Sequence, residues 1–477
     1  MSEGSVPVLD SSTTGGGVGK EPTRLKRPVF LGSAIGVVAI SLWVMFAPDS
    51  ATDVIGSMVD WTSRGFGWFY ILLATAALVF VVFLAVSKYG HTKLGPAHSK
   101  PQYGTFAWAS MLFAAGIGTD VMFYAVAGPV TQYLDPPVGN GETVDAANEA
   151  SVWTMFHYGI SGWGLYTLMG IALGYFAYRR NLPLAVRSAL YPIFGRRIEG
   201  AIGHGVDLAA VLGTIFGVAT ALGIGVVQLN FGLELLFGIP QGVPAQVGLI
   251  VLAVVVATLS AVSGIDAGIR RLAQANVLLT VLLAAFVLVT GQTRLLIDGL
   301  VQNVGDFVSL FPGMTLDTFA FDRPDQWLSD WTLFFWAWWI TWSAFVGMFL
   351  ARISRGRTIR QFIGGTLVLP FSYIVMWVSI FGNSAIDRIR SGDADFGQLA
   401  MNTPEQGFYT LLQDYPLFPV IGLLATVVGL LFYITSADSG ALVMANLTSH
   451  LRHPLADAGW RRGSSGRSRP VCSRRRC

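Results

Sequence analysis

Residues 331–358 read W-T-L-F-F-W-A-W-W-I-T-W-S-A-F-V-G-M-F-L-A-R-I-S-R-G-R-T. The first 20 residues of this stretch, 331–350, carry no charge, which is the length and composition of a membrane-crossing helix. Four of the chain's 14 Trp fall within seven residues of it, at Trp336, Trp338, Trp339 and Trp342. At 3.6 residues per turn, Trp336, Trp339 and Trp342 share one helical face and Trp338 points elsewhere. Indole is the strongest cation–π face, and a cage of such rings holds a quaternary ammonium group, which has no proton to donate. An aromatic belt at a membrane boundary would use the same residues. Against the belt, these Trp sit inside the apolar run rather than at one end.

Composition places the whole chain in a membrane. Of 477 residues, 53% are hydrophobic and 12% charged, where a soluble domain carries about 25% charged residues. The fold class expected is all-α and polytopic. Ten apolar runs are long enough to span: Val29–Ala47, Trp68–Val86, Phe106–Val130, Met155–Tyr178, Leu208–Phe237, Pro244–Val262, Leu272–Val289, Trp331–Leu350, Phe362–Phe381 and Phe418–Met444. Leu295–Phe311 mixes apolar residues with Asp298, Asn303 and Asp306 and reads as an amphipathic helix lying on the membrane. The polar first 27 residues predict no cleavable signal peptide. The two cysteines, Cys472 and Cys477, offer no disulfide framework.

Charge fixes the orientation. With the amino terminus in the cytoplasm, the inner loops hold Lys88, Lys93 and Lys100, then Arg179, Arg180, Arg187, Arg196 and Arg197, then Arg270 and Arg271, then Arg352, Arg355, Arg357 and Arg360. The outer segments hold Asp135, Glu142, Asp145 and Glu149, then Asp317, Asp322, Asp325 and Asp330, then Asp393, Asp395, Glu405 and Asp414. Basic residues inside are the expected bias. The formal charge of +3 is supplied by residues 451–477, with eight Arg and one Asp, so the rest is net acidic. Nothing points to nucleic acid as a partner. No metal-ligand spacing, nucleophile elbow or phosphate loop is present, so no enzyme is expected and no cofactor.

The third run, F-A-A-G-I-G-T-D-V-M-F-Y-A-V-A-G-P-V-T-Q-Y, places Gly116 and Gly118 two apart at membrane depth, followed by Asp120. Glycines let a helix open, and open backbone at that depth lines a cavity; close helix packing is the alternative use of small residues. A carboxylate within a span costs roughly 2.5–3.5 kcal/mol on insertion scales and marks a functional site by default. Asp120 has two duties available: to take a proton, since desolvation favours the neutral carboxyl, or to balance a cationic substrate. His157 has the role of a proton relay open to it, but reads first as a hydrogen-bonded interfacial histidine. The tenth run puts Thr435, Ser436, Asp438 and Ser439 into apolar surroundings; such hard oxygens suit a small cation or satisfy helix backbone.

The chain resembles the betaine/choline/carnitine transporter family from Arg27 to His450. The resemblance is carried most strongly by W-A-W-W-I-T-W followed by F-V-G-M-F-L-A-R-I-S-R-G-R-T. It implies secondary transport of trimethylammonium compounds, with osmoprotection or catabolism as the purpose, and a homotrimer in the cell membrane. It implies a substrate pocket built from Trp336, Trp338, Trp339, Trp342, Phe123, Tyr158, Trp163 and Tyr166. Tyr158 stands where Trp is frequent, and Gly128 where Glu is common. Members with three glycines in the broken-helix motif are similar to sodium-coupled betaine carriers. Gly116-x-Gly118-x-Asp120 is similar to the proton-coupled choline type, so H+ is the coupling ion implied and Na+ the alternative. In sodium-coupled relatives the positions of Ala114, Ile117, Phe432, Thr435 and Ser436 form the cation site.

The family fold is two leading helices and two inverted five-helix repeats. It divides this chain into a cytoplasmic tail (1–27), the leading pair (28–103), the first repeat (104–293), an outer amphipathic connection (294–328), three helices of the second repeat (329–450), and a basic tail (451–477) resembling nothing in the family. The expectation is therefore an incomplete second repeat, and no osmotic activation through a long charged carboxyl tail. A quaternary-amine sensor that binds without transporting is the competing class. A channel is disfavoured, since the aromatic cage is not a ring of carbonyls or charges.

Overall fold

The computed structural model describes residues 24–115, 118–263 and 266–450. Gly116, Ile117, the first 23 residues and the basic tail from 451 lie outside them. The described chain is helical apart from one pair of two-residue strands, β1 (Arg24–Leu25) and β2 (Ser449–His450), which run antiparallel.

The leading pair is α1 (Arg27–Phe46) and α2 (Pro48–Val86). The third apolar run is split into α3 (Thr105–Ala115) and α4 (Thr119–Leu134), and the fourth into α5 (Val144–Tyr158) and α6 (Ile160–Arg180). After a single turn, α7 (Tyr191–Phe194), come α8 (Ala201–Phe237), α9 (Val243–Ser263) and α10 (Asp266–Thr290). Next are α11 (Thr293–Met314), the short α12 (Asp325–Leu328) and α13 (Phe334–Ile353). The chain continues through α14 (Ile359–Arg390), α15 (Ala394–Asn402), α16 (Pro404–Leu412) and α17 (Phe418–Leu447). All ten expected runs fall on helices. Among the described residues, seven helical stretches are long and apolar enough to cross a membrane by themselves. The remaining runs are the broken α3–α4, the shorter apolar part of α9 (Val243–Leu259), and α10, whose axis bends by 117° into α11. That bend fits the polar character of Leu295–Phe311: the chain leaves the direction of α10 where the sequence stops being apolar all round. The protein is an all-α polytopic membrane protein.

Local chemistry sets the helix ends. Thr143 caps α5 by accepting from the Ala146 N–H at 3.0 Å, and Thr358 and Gln361 form a reciprocal capping box at the start of α14. Asn181 and Gly238 close α6 and α8 in the left-handed conformation.

Two contacts tie the chain's halves together. The R-I-S-R-G-R-T loop after α13 is clasped to the 92–95 loop: Leu94 N–H donates to Arg357 O, and Gly356 N–H to Leu94 O, both at 2.8 Å. Gly356 has φ +84°, and a Cβ there would overlap the Lys100 carbonyl, so glycine is required. Arg357 lies 3.9 Å over the Trp108 ring of α3, whose Nε1–H donates to Ser354 Oγ at 2.9 Å. At the other contact, Lys26 Nζ meets Asp207 Oδ2 at 2.9 Å and Arg187 Nε meets the same oxygen at 3.5 Å. Lys26 also donates to Leu447 O at 3.1 Å. All three charged side chains are buried, so the chain entering α1 is fixed to the start of α8 and the end of α17.

α13 packs against α6 and α8, while α14 covers α3, α4, α5 and α6.

Candidate functional site

Three helix interruptions converge on the expected pocket. α3 ends at Ala115 and α4 starts at Thr119, with Gly118 extended between them. Gly159 separates α5 from α6; a Cβ there would overlap the Met155 carbonyl and press on Phe371. A π-helical turn, Ser329–Leu333, leads into α13, and such turns recur at functional sites.

Asp120 stands half-buried in the first turn of α4. Its carboxylate folds back toward the N–H groups of Asp120 and Val121, where the helix dipole favours negative charge. A Cβ on Gly118 would overlap that carboxylate, which gives the glycine a use beyond opening the helix. Tyr124, Tyr158, Tyr166 and Tyr373 all lie within electrostatic reach of Asp120. The Tyr158 hydroxyl is close to the carboxylate but outside strict hydrogen-bond geometry.

Beside Asp120 is an aromatic box centred on Trp339. Its ring centroid is 4.7 Å from Tyr166, 6.2 Å from Trp163 and 6.3 Å from Tyr158. Trp163 and Tyr166 meet edge to face at 5.5 Å. All four rings are buried. Gly162 makes the approach possible, because a Cβ there would overlap the Trp339 indole. The Trp339 Nε1–H donates to the His157 carbonyl at 2.8 Å, so the indole offers its face rather than its N–H.

The other expected pocket residues are placed differently. Trp336 is buried against Phe156 at 5.3 Å, behind the box. Trp342 meets Phe345 at 5.0 Å and lies against Gly217 of α8, about one turn along α13 from Trp339. Trp338 is half-buried on a second aromatic group with Phe334 at 5.5 Å and Tyr124 at 6.5 Å. Phe123 is buried against Tyr124 at 4.9 Å. The shared face of Trp336, Trp339 and Trp342 is real, yet each indole meets a different partner because three other helices cover that face.

Sequence reasoning missed Tyr124 and Phe335. Tyr124 touches Phe335 at 5.2 Å, Tyr158 at 5.5 Å and Trp331 at 5.9 Å. The signal was present: Trp331, Phe335 and Trp338 follow the helical i, i+4, i+7 pattern. His157 is fully buried and hydrogen-bonded, with Nε2 3.0 Å from Thr332 Oγ1. Gly128 lies against Thr154, whose side chain fills the space a larger residue would need.

Of the candidate cation site, Ile117 lies outside the described residues, and so does the side chain of Ala114. Thr435 donates its hydroxyl to Leu431 O at 2.9 Å and Phe432 O at 3.1 Å, within its own helix. Phe432 is buried and Ser436 half-buried.

Fold and site together define a polytopic membrane protein whose helix breaks surround a cluster of buried aromatic rings. The family comparison gives the same class: residues 28–459 match the betaine/carnitine/choline family transporters, and the chain belongs to that family. The match runs nine residues past 450, into the stretch read from the sequence as a non-family tail. A high-affinity choline transport protein of Escherichia coli is 57% identical over 444 residues, covering 93% of this chain and 66% of the relative. An osmo-dependent choline transporter of Acinetobacter baylyi is 52% identical, covering 91% and 64%. A glycine betaine transporter of the same organism is 42% identical, covering 87% and 63%. This chain therefore spans somewhat less than two thirds of the length of these three relatives.

Proposed function

We propose that the chain imports choline across a cell membrane by symport with protons, its amino terminus in the cytoplasm. The observation that carries this reading is the box of Tyr158, Trp163, Tyr166 and Trp339 beside the Asp120 carboxylate. Aromatic faces hold a trimethylammonium group without needing a hydrogen bond. A carboxylate nearby favours a plain cation such as choline over zwitterionic betaine, which brings a second carboxylate. The names of the two most similar relatives quoted above also support choline.

In this reading Asp120 carries the coupling proton. It sits at a helix break, next to the substrate, where protonation and substrate charge act on each other directly. Sodium coupling with betaine or carnitine as substrate is the second reading, supported by the glycine betaine relative and by the hydroxyls of Thr435 and Ser436. It is the weaker of the two because Thr435 spends its hydroxyl on its own helix and Asp120 replaces a glycine of the sodium-type motif. A homotrimer belongs to the same proposal by resemblance to the family.

Labelled choline uptake into proteoliposomes, with betaine in parallel, tests the assignment. Choline uptake saturating at lower concentration than betaine supports it. Binding of choline without any uptake would favour a sensor.

A further inference from the structure

We infer that His157 is a positioning residue for the box: it sets the rotation of α13 so that Trp339 presents its face to the substrate. The inference rests on the choline-site reading above and goes beyond it by naming what holds the site in shape.

The break at Gly159 ends α5 one residue after Tyr158, so the His157 carbonyl is among the carbonyls that the helix end leaves without an intrahelical partner. The Trp339 Nε1–H takes that carbonyl at 2.8 Å. The His157 side chain reaches the same helix two turns earlier, with Nε2 3.0 Å from Thr332 Oγ1 in the π-helical turn. Between these points the imidazole stacks on Phe335, centroids 5.2 Å apart and planes 20° apart, and meets Trp336 at 6.1 Å. Thr332, Phe335, Trp336 and Trp339 are i, i+3, i+4 and i+7, one stripe of a helix.

A single residue of the first repeat thus holds a whole stripe of the second. A π-turn carries an extra residue, so the rotation of the helix that follows depends on what anchors the turn. The Thr332 hydroxyl is buried and His157 is the partner it meets. If that anchor is removed, α13 can rotate, and Trp339 leaves the carbonyl and turns its face from Tyr158, Trp163 and Tyr166. His157 touches no substrate in this account and acts through Trp339.

The test is choline binding by the purified full chain, measured by calorimetry beside thermal unfolding, with tetramethylammonium as a second probe that has only the cation. Thr332→Val keeps the shape and removes the hydroxyl; Thr332→Ser restores it. Thr332→Val is expected to weaken choline and tetramethylammonium alike, by about tenfold, the scale of one buried hydrogen bond. Thr332→Ser is expected to recover most of that loss. His157→Gln, whose amide reaches the same hydroxyl, is expected to bind better than His157→Leu. Should Thr332→Val not give folded protein, the Gln and Leu pair carries the comparison. Unchanged affinity in Thr332→Val, or a drop in unfolding temperature with affinity intact, overturns the positioning role and leaves His157 structural. A wild-type chain that binds neither probe overturns the choline-site reading and the positioning role with it.

Discussion

At the scale of single residues, the account rests on Trp339 and Asp120. Trp339→Ala is expected to weaken choline binding by more than about tenfold, since the indole is the centre of the box and a desolvated cation–π contact contributes about 2 kcal/mol. Trp342→Ala is expected to cost much less, because Trp342 packs on Phe345 and Gly217; equilibrium binding by both variants checks the contrast, and equal losses would contradict the placement. Gly118→Ala puts a methyl group where the Asp120 carboxylate lies. It should reproduce in part whatever Asp120→Asn does to proton-driven uptake, while Gly→Ala at open Gly223 should not. Asp120 was legible in the sequence because a carboxylate in an apolar run is conspicuous. The division of labour among the Trp residues was not: helical periodicity gives the face, but the partner on each part of that face comes from other helices far away in sequence.

At the scale of elements, the breaks matter more than the spans. Each apolar run became a helix because bilayer length and apolar composition leave little else. The interruption at Gly118 could be read from glycine spacing. The break at Gly159 could not, since one glycine among many in the fourth run does not announce itself; its requirement comes from the Met155 carbonyl and the Phe371 ring, contacts that exist only in the fold. The π-turn at Ser329–Leu333 was equally silent. These elements make a prediction about close approach. Gly162→Ala should push the Trp339 indole off α6 and weaken choline binding several-fold with the chain still folded, measurable by calorimetry on monodisperse protein. Affinity equal to wild type would mean that the box tolerates displacement of its central ring.

At the scale of the whole molecule, distant parts of the chain are joined at the box, at the clasp between Arg357 and Trp108, and at the buried charges of Lys26, Arg187 and Asp207. Removing one member of a buried ion group leaves charge uncompensated and costs about 3–5 kcal/mol. Asp207→Asn should therefore lower the unfolding temperature sharply, and more than Asp393→Asn at the exposed start of α15; similar small shifts would mean the buried group is not a fastening. The central claim, however, is proton-coupled choline import through Asp120. A choline cation gains about 2.3 kcal/mol per 100 mV when it moves down the membrane potential, so uptake alone cannot establish coupling. The most direct measurement is choline uptake into sodium-free proteoliposomes clamped at zero potential, with and without an inward proton gradient, for the wild type and Asp120→Asn. The account predicts accumulation in the wild type only when the gradient is imposed, and none above equilibrium in Asp120→Asn. Gradient-driven accumulation that persists undiminished in Asp120→Asn would contradict it.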